Sequence, residues 1–346
     1  MERNARAHFR VVRINRWTVA VFLMIALAIL LFPVGKLRPA SGTGSARVQP
    51  GVKLGGRDFS GMTEHEAKSA LRQMAPTLSV EPEPAREFAE SAGVTYVVPE
   101  VNGYALDVDA TWYKLVTARP GSRVNPVTRV DLPPSRMSDY PQSVIKRGNA
   151  AKQAVGLLVN VDWGREELKA MLPILDRHGA KVTVFVSGRF AGQNGDIIAE
   201  VAAKGHEVAS HGHDLSTGPK ALAAAGKLKA DIARSVSTIE TVTHTKVHYW
   251  APHMNELDAE ILKTAGDLQL RTVLSSLDPR DWDQTQPPER ILATIKQATA
   301  GDLILLHPRP NTVQILDQAL QYLNDRGLKP LTLSDLLSPQ PTSAKR

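Results

Sequence analysis

From residue 152 onward the chain alternates between short apolar runs and amphipathic stretches, and this alternation constrains the fold more than any other feature. Strand-like runs fall at 155–161, 181–187, 206–210, 246–251, 271–277, 302–306 and 330–333. Helical periodicity occupies most of the gaps, at 165–178, 196–204, 221–241, 258–265, 288–299 and 312–326. Two parallel strands need a crossover between them, so strand and helix in alternation predict a parallel sheet covered by helices. This many units in one stretch predict a barrel, closed or incomplete. The run 155–161 ends in Asp162-Trp163-Gly164. Ligands in parallel α/β folds sit at the C-terminal ends of strands, so Asp162 stands where a catalytic base belongs.

The N-terminus follows different rules. Arg3, Arg6, Arg10, Arg13 and Arg16 face only Glu2, and the run 17–34 that follows carries no charge. That run is about as short as a membrane-spanning helix can be. Positive charge before it predicts a single-pass signal anchor in the cell membrane, with a basic cytoplasmic arm at 1–16 and everything after the run outside. A cleaved signal peptide is the rival reading, but no Ala-x-Ala site follows. Residues 35–50 are rich in Gly, Ser and Pro and read as a linker. The sequence has no cysteine, which excludes disulfides and zinc–thiolate sites. Its net charge of +7 lies partly in the basic arm, and no basic run with interleaved aromatics occurs elsewhere, so nucleic acid is not the expected partner.

A small α+β domain is expected over 51–132. Thr63 and Glu66 form a capping box that opens a helix. Residues 96–98 and 104–108 read as strands around the turn at Asn102-Gly103, before a short helix at 110–118. Gly-Val-Lys-Leu-Gly-Gly at 51–56 and Gly-Tyr-Ala-Leu-Asp-Val-Asp-Ala-Thr-Trp at 103–112 resemble small wall-associated repeats of exported Gram-positive proteins. The competing reading of this domain is a spacer. Residues 133–151 read as a second linker, 152–338 as the main domain and 339–346 as a tail.

Eight of the ten histidines lie beyond residue 150, and His211, His213, His253 and His307 fall at or just after strand ends. Asp162, Asp214, Asp278 and Asp281 do the same. In order, Asn160-Val161-Asp162-Trp163-Gly164, the segment 182–188 (VTVFVSG), 205–214 (GHEVASHGHD), Trp250-Ala251-Pro252, 276–282 (SLDPRDW) and 301–308 (GDLILLHP) resemble the polysaccharide deacetylase (NodB-homology, carbohydrate esterase) family. The likeness is greatest to its membrane-anchored, sporulation-type members, whose first motif is also Asn-Val-Asp-Trp-Gly.

That resemblance implies a distorted (β/α) barrel of NodB type that removes acetyl groups from amino sugars of a cell-wall glycan, most naturally peptidoglycan. In such enzymes a zinc-like divalent metal polarises the amide, an Asp acts as base and a His as acid. Asp162 matches the base and His307 the acid, while Asp278 and Asp281 match the acidic pair that orients that His. Trp282 matches an apolar wall near the acetyl group, and Trp163 and Trp250 stand at cleft positions where aromatic faces either stack on sugars or serve packing alone. The metal positions depart from the pattern. Trp163 stands where the second Asp belongs, and of the His pair spaced i, i+4 only His211 is present, because the later position is Leu215. His213 and Asp214 are the substitutes at hand, at a spacing that does not reproduce the pattern. The third motif has no Arg to support the base. Zinc needs three protein ligands and an open position. Two readings follow, a deacetylase with a degenerate metal site and a non-catalytic glycan-binding or assembly protein on the same fold. The residues themselves leave the two level, and the usual activity of the resembled family favours the enzyme.

Overall fold

The computed structural model describes residues 46–91 and 93–340. The expected arm at 1–16 and membrane anchor at 17–34 lie outside the described residues, as do 35–45 and 341–346. Among the described residues no helix is long and apolar enough to cross a membrane. The chain forms two compact units, one from the residues up to Ala70 with Trp112–Asn125, the other from Leu71–Thr111 with Pro126 onward.

In the first unit Lys53–Leu54 pairs antiparallel with Arg57–Asp58 and parallel with Arg123–Val124. Val52, Leu54, Phe59 and Leu115 are fully buried there. The Thr63–Glu66 capping box forms as expected, with the Thr63 N–H donating to Glu66 Oε2 at 2.8 Å and the Glu66 N–H to Thr63 Oγ1 at 3.4 Å.

The second unit contains the alternation read from the sequence. Its main sheet has seven strands, all parallel. The order is Arg271–Thr272, Tyr249–Trp250, Glu207–Ser210, Thr183–Val186, Ala154–Val161 and Leu303–Leu306, with Lys329–Leu331 also on Ala154–Val161. Ala154–Val161 is central and buried on both faces. Val155, Leu157, Val159 and Val161 pack under the helices, and Ala154 and Leu158 point to the other side. A strand with two buried faces has to read as an unbroken apolar run, and this one does. Gly156 leaves room on the inner face for Leu303, one of whose methyls would lie 2.7 Å from a Cβ there.

The sheet curls. Segment 271–277, expected as one strand, pairs with Tyr249–Trp250 at its start and with Leu303–Leu306 at its end, where the Leu305 N–H donates to Leu277 O at 2.9 Å. Between these contacts Ile145 bridges Val273, and the Leu274 N–H donates to Ile145 O at 2.9 Å. The curled sheet is therefore a half-barrel with a mixed seam. The segment 133–151, read as a linker, supplies the strand Val144–Ile145, whose two residues are fully buried.

Two other expectations change. The helix at 221–241 is split into Pro219–Ala224 and Leu228–Thr243, because Gly226 takes a left-handed φ of 65° that ends the first helix. The strands flanking Asn102-Gly103 do not form a hairpin. Val94–Val98 pairs with Arg86–Ser91 and Val144–Ile145, whereas Gly103–Leu106 pairs with Thr128–Asp131. Gly103 serves close approach instead, since a Cβ there would lie 2.3 Å from Val80 O.

Candidate functional site

The central strand delivers Asp162 to its C-terminal end, where the carboxylate is held from the neighbouring strand. Thr183–Val186 ends at Ser187, which caps the helix Gly188–Gln193 by accepting the Phe190 N–H at 3.1 Å. The same Ser187 hydroxyl donates to Asp162 Oδ1 at 2.5 Å. Arg189, in the first turn of that helix, donates to Asp162 Oδ2 at 2.9 Å. Arg189 supplies to Asp162 the support that the third motif lacks. No sequence pattern pointed to it.

Leu303–Leu306 delivers His307. Its backbone N–H donates to Asp281 Oδ2 at 2.7 Å and its ring Nδ1–H to Asp281 Oδ1 at 2.8 Å. Thr312 Oγ1 also donates to Asp281 Oδ2, at 2.7 Å. The Asp281 side chain is completely buried, and a buried carboxylate requires this many donors. Nδ1 carries the proton in this arrangement, which leaves Nε2 of His307 for the cleft. Asp281→Ala would strand three donors, and we expect a loss of about 3–5 kcal/mol in unfolding free energy by denaturant titration. A loss below about 1 kcal/mol would show that the dyad is not structurally coupled. Asp278, expected to share this role, is exposed and accepts the Arg280 N–H at 2.7 Å within its own turn. The structure brings Asp281 to His307 and leaves Asp278 outside.

His211 follows Glu207–Ser210 and is buried. Its Nδ1–H donates to Ala251 O at 2.8 Å. Burial lowers its pKa to about 4, opposed by that hydrogen bond and reinforced by His253 and His307, so the ring is neutral near pH 7. His253 stands edge-on to it, ring centres 5.8 Å apart, and is the strand-end histidine that joins the cleft without having been assigned a role. Burial lowers its pKa too, against the pull of Asp162.

The residues offered as substitute metal ligands do not converge on His211. His213 packs its Nδ1 against Gly188, where a Cβ would lie 2.4 Å away, and that nitrogen has no partner among the described residues. Asp214 is exposed and accepts the Ser216 N–H at 3.0 Å. Among the described residues no group of three or more His, Cys, Asp and Glu is arranged to hold a metal ion. The donor set around His211 does not fit the three-ligand zinc site of the resembled enzymes.

The tryptophans divide. Trp163 lies nearly parallel to the His307 ring, centres 5.9 Å apart, and the Arg309 guanidinium carbon sits 3.7 Å above its ring centre. The turn is fixed by Gly164 at φ 81°, where a Cβ would lie 2.4 Å from Pro308 O. Trp163 is thus in the cleft, with Arg309 occupying part of its face. Trp250 is only 1% exposed and has no face for a sugar, which corrects its assignment. In the strand Tyr249–Trp250 the first side chain faces the inner cluster and the second the helix-side core. Trp282 is 42% exposed, with the Arg280 guanidinium 5.2 Å from its ring centre.

Comparison with known proteins agrees with this geometry. Residues 147–273 match the family described as polysaccharide deacetylase. The uncharacterized protein YlxY of Bacillus subtilis is 26% identical over 268 residues, which is 77% of this chain and 82% of that protein. A peptidoglycan-N-acetylglucosamine deacetylase of Bacillus cereus is 29% identical over 175 residues, covering 48% of this chain and 80% of the enzyme. Among solved structures, BA3943 of Bacillus anthracis, described as a CE4 family pseudoenzyme, superposes with a TM-score of 0.66 at 24% identity, over 79% of this chain and 95% of that one. The last likeness speaks for the fold. The match over residues 147–273 is thus a likeness to the polysaccharide deacetylase family in the stretch that holds Asp162, His211 and His253.

Proposed function

We propose that this chain is an outward-facing, membrane-anchored member of the polysaccharide deacetylase family that binds acetylated cell-wall glycan without metal-dependent hydrolysis. One observation carries the reading. The position of the second metal carboxylate holds Trp163, packed on His307 and Arg309, and although His253 stands beside His211, no group of three or more His, Cys, Asp and Glu is arranged to hold an ion among the described residues. Anchoring rests on the uncharged run 17–34 behind five arginines. The glycan is drawn from the Bacillus cereus relative, whose name specifies peptidoglycan N-acetylglucosamine.

The test pairs two measurements on the full chain with peptidoglycan fragments and chitooligosaccharides. Saturable binding is expected, and acetate release with added zinc is expected to stay at the buffer rate. Zinc-dependent acetate release would overturn the proposal.

A second reading, a deacetylase working through a rearranged site, is favoured by the intact Asp281–His307 dyad and by Asp162 at its strand end. It requires acetate release that disappears in both Asp162→Asn and His307→Ala.

A further inference from the structure

The reading of this cleft as a glycan groove leaves one of its groups without a task. Arg309 has its guanidinium carbon 3.7 Å above the Trp163 ring centre, and its buried Nε has no hydrogen-bond partner among the described residues. Neither cleft carboxylate is spent on it. Asp162 is engaged by Arg189 and Ser187, and Asp281 by His307 and Thr312. Arg309 also forms no ion pair with any other described residue. A guanidinium lying on an aromatic face keeps its N–H groups in its own plane, where they remain available to a ligand approaching edge-on. The stacking also fixes the direction of that fork, which lowers the entropy cost of using it. The backbone is held as well, because Arg309 precedes the helix Pro310–Asp325 and accepts the Val313 N–H at 3.0 Å. The buried Nε is out of a ligand's reach, so the part of the fork that faces the cleft is its terminal N–H pair, which no described residue engages.

We propose that the Arg309–Trp163 pair is a carboxylate-binding subsite, and that the glycan taken by this cleft is an acidic one, with a carboxylate on or beside its amino sugar. The proposal rests on the glycan reading above and narrows it. A planar fork meeting a carboxylate makes two parallel charge-assisted bonds, which a neutral N-acetylglucosamine polymer cannot offer.

The test is calorimetric titration of the full chain with three oligosaccharides of equal length. One contains N-acetylglucosamine only, one alternates it with N-acetylmuramic acid whose lactyl carboxylate is free, and one alternates it with a uronic acid. At least one acidic oligosaccharide is expected to bind about tenfold or more tightly than the neutral one, and which of them does so identifies the source of the carboxylate. In Arg309→Gln the three are expected to bind equally. Arg309→Lys keeps the charge and the aliphatic stem but loses the fork, so a reduced preference is expected. Equal binding of all three by the wild type would overturn the subsite and leave the glycan groove standing. Binding of none would overturn the glycan reading itself. A full acidic preference retained in Arg309→Gln would remove Arg309 from the assignment.

Discussion

Replacing Trp163 by Asp together with Leu215 by His is expected to create a zinc site of about micromolar affinity or tighter, roughly 8 kcal/mol of binding free energy. The wild type should show no comparable binding. The double change restores the residue types at the spacings of the resembled enzymes, so that a carboxylate follows Asp162 and an imidazole stands four residues after His211. His211 is prepared for the role. Its Nδ1–H is committed to Ala251 O, which fixes the tautomer and leaves Nε2 with a lone pair. The single variants should bind zinc poorly, because two donors do not satisfy an ion that requires three from the protein. Zinc titration by competition with a chelating dye reads the affinity directly. Acetate release gives a second readout that separates metal capture from hydrolysis. If the double variant bound zinc no better than the wild type, the positions would not be equivalent to the family's ligands.

The other large effect is on acid stability. His206 is buried and its Nδ1 accepts the Val182 N–H at 3.3 Å, so protonating it would break that bond and place a charge beside Lys181. Burial, with help from Lys181, lowers its pKa to about 4, the same value that burial gives His211. Both folded-state values lie below the ordinary histidine value of about 6.5. The unfolded chain therefore binds more protons in this range, and stability falls as pH falls. The contribution is complete above about pH 6.5 and is lost as pH drops through about 4, roughly 3 kcal/mol for each histidine. Carboxylates whose pKa is lowered by ion pairs act further down. Asp196, held at about 2 chiefly by Arg165, has no part in this window. Denaturant titrations at steps from pH 7 to pH 4 should show the decline, and His206→Gln should remove about half of it. A flat profile over that interval would mean that the two rings are not neutral in the folded protein.

Much of the fold was legible because both faces of the central strand are buried, which left its signature in an unbroken apolar run. The Asp281–His307 pair was legible through the family resemblance, which matched His307 to the acid and Asp281 to the acidic pair that orients it. Asp278 read equally well and failed because its carboxylate is taken by the next turn, a contact invisible at the level of strand and helix. Trp250 failed by one residue of phase. In a strand only two residues long there was no run of alternation to say which side chain faced the cleft. Arg189 could not have been found by spacing, because it reaches Asp162 from the first turn of a neighbouring helix. The stack of Arg309 on Trp163 was equally hidden, since the two come from segments far apart in the chain. The break at Gly226 was the one local signal available and not used.

The seam of the half-barrel ties its closure to the order in which the chain is made. Ile145 must meet Val273, and Leu277 must meet Ile304, before the last open edge of the sheet is covered. The first of these partners is synthesised long before the second. The contact of Ile145 with Val273 spans a long stretch of chain and needs the strands between them in place, and contacts of such separation form late. Until then the growing sheet carries exposed backbone donors and acceptors along an apolar strand, the kind of edge to which a second unfolded chain can add. A protein built this way spends its vulnerable interval waiting for its own C-terminal third.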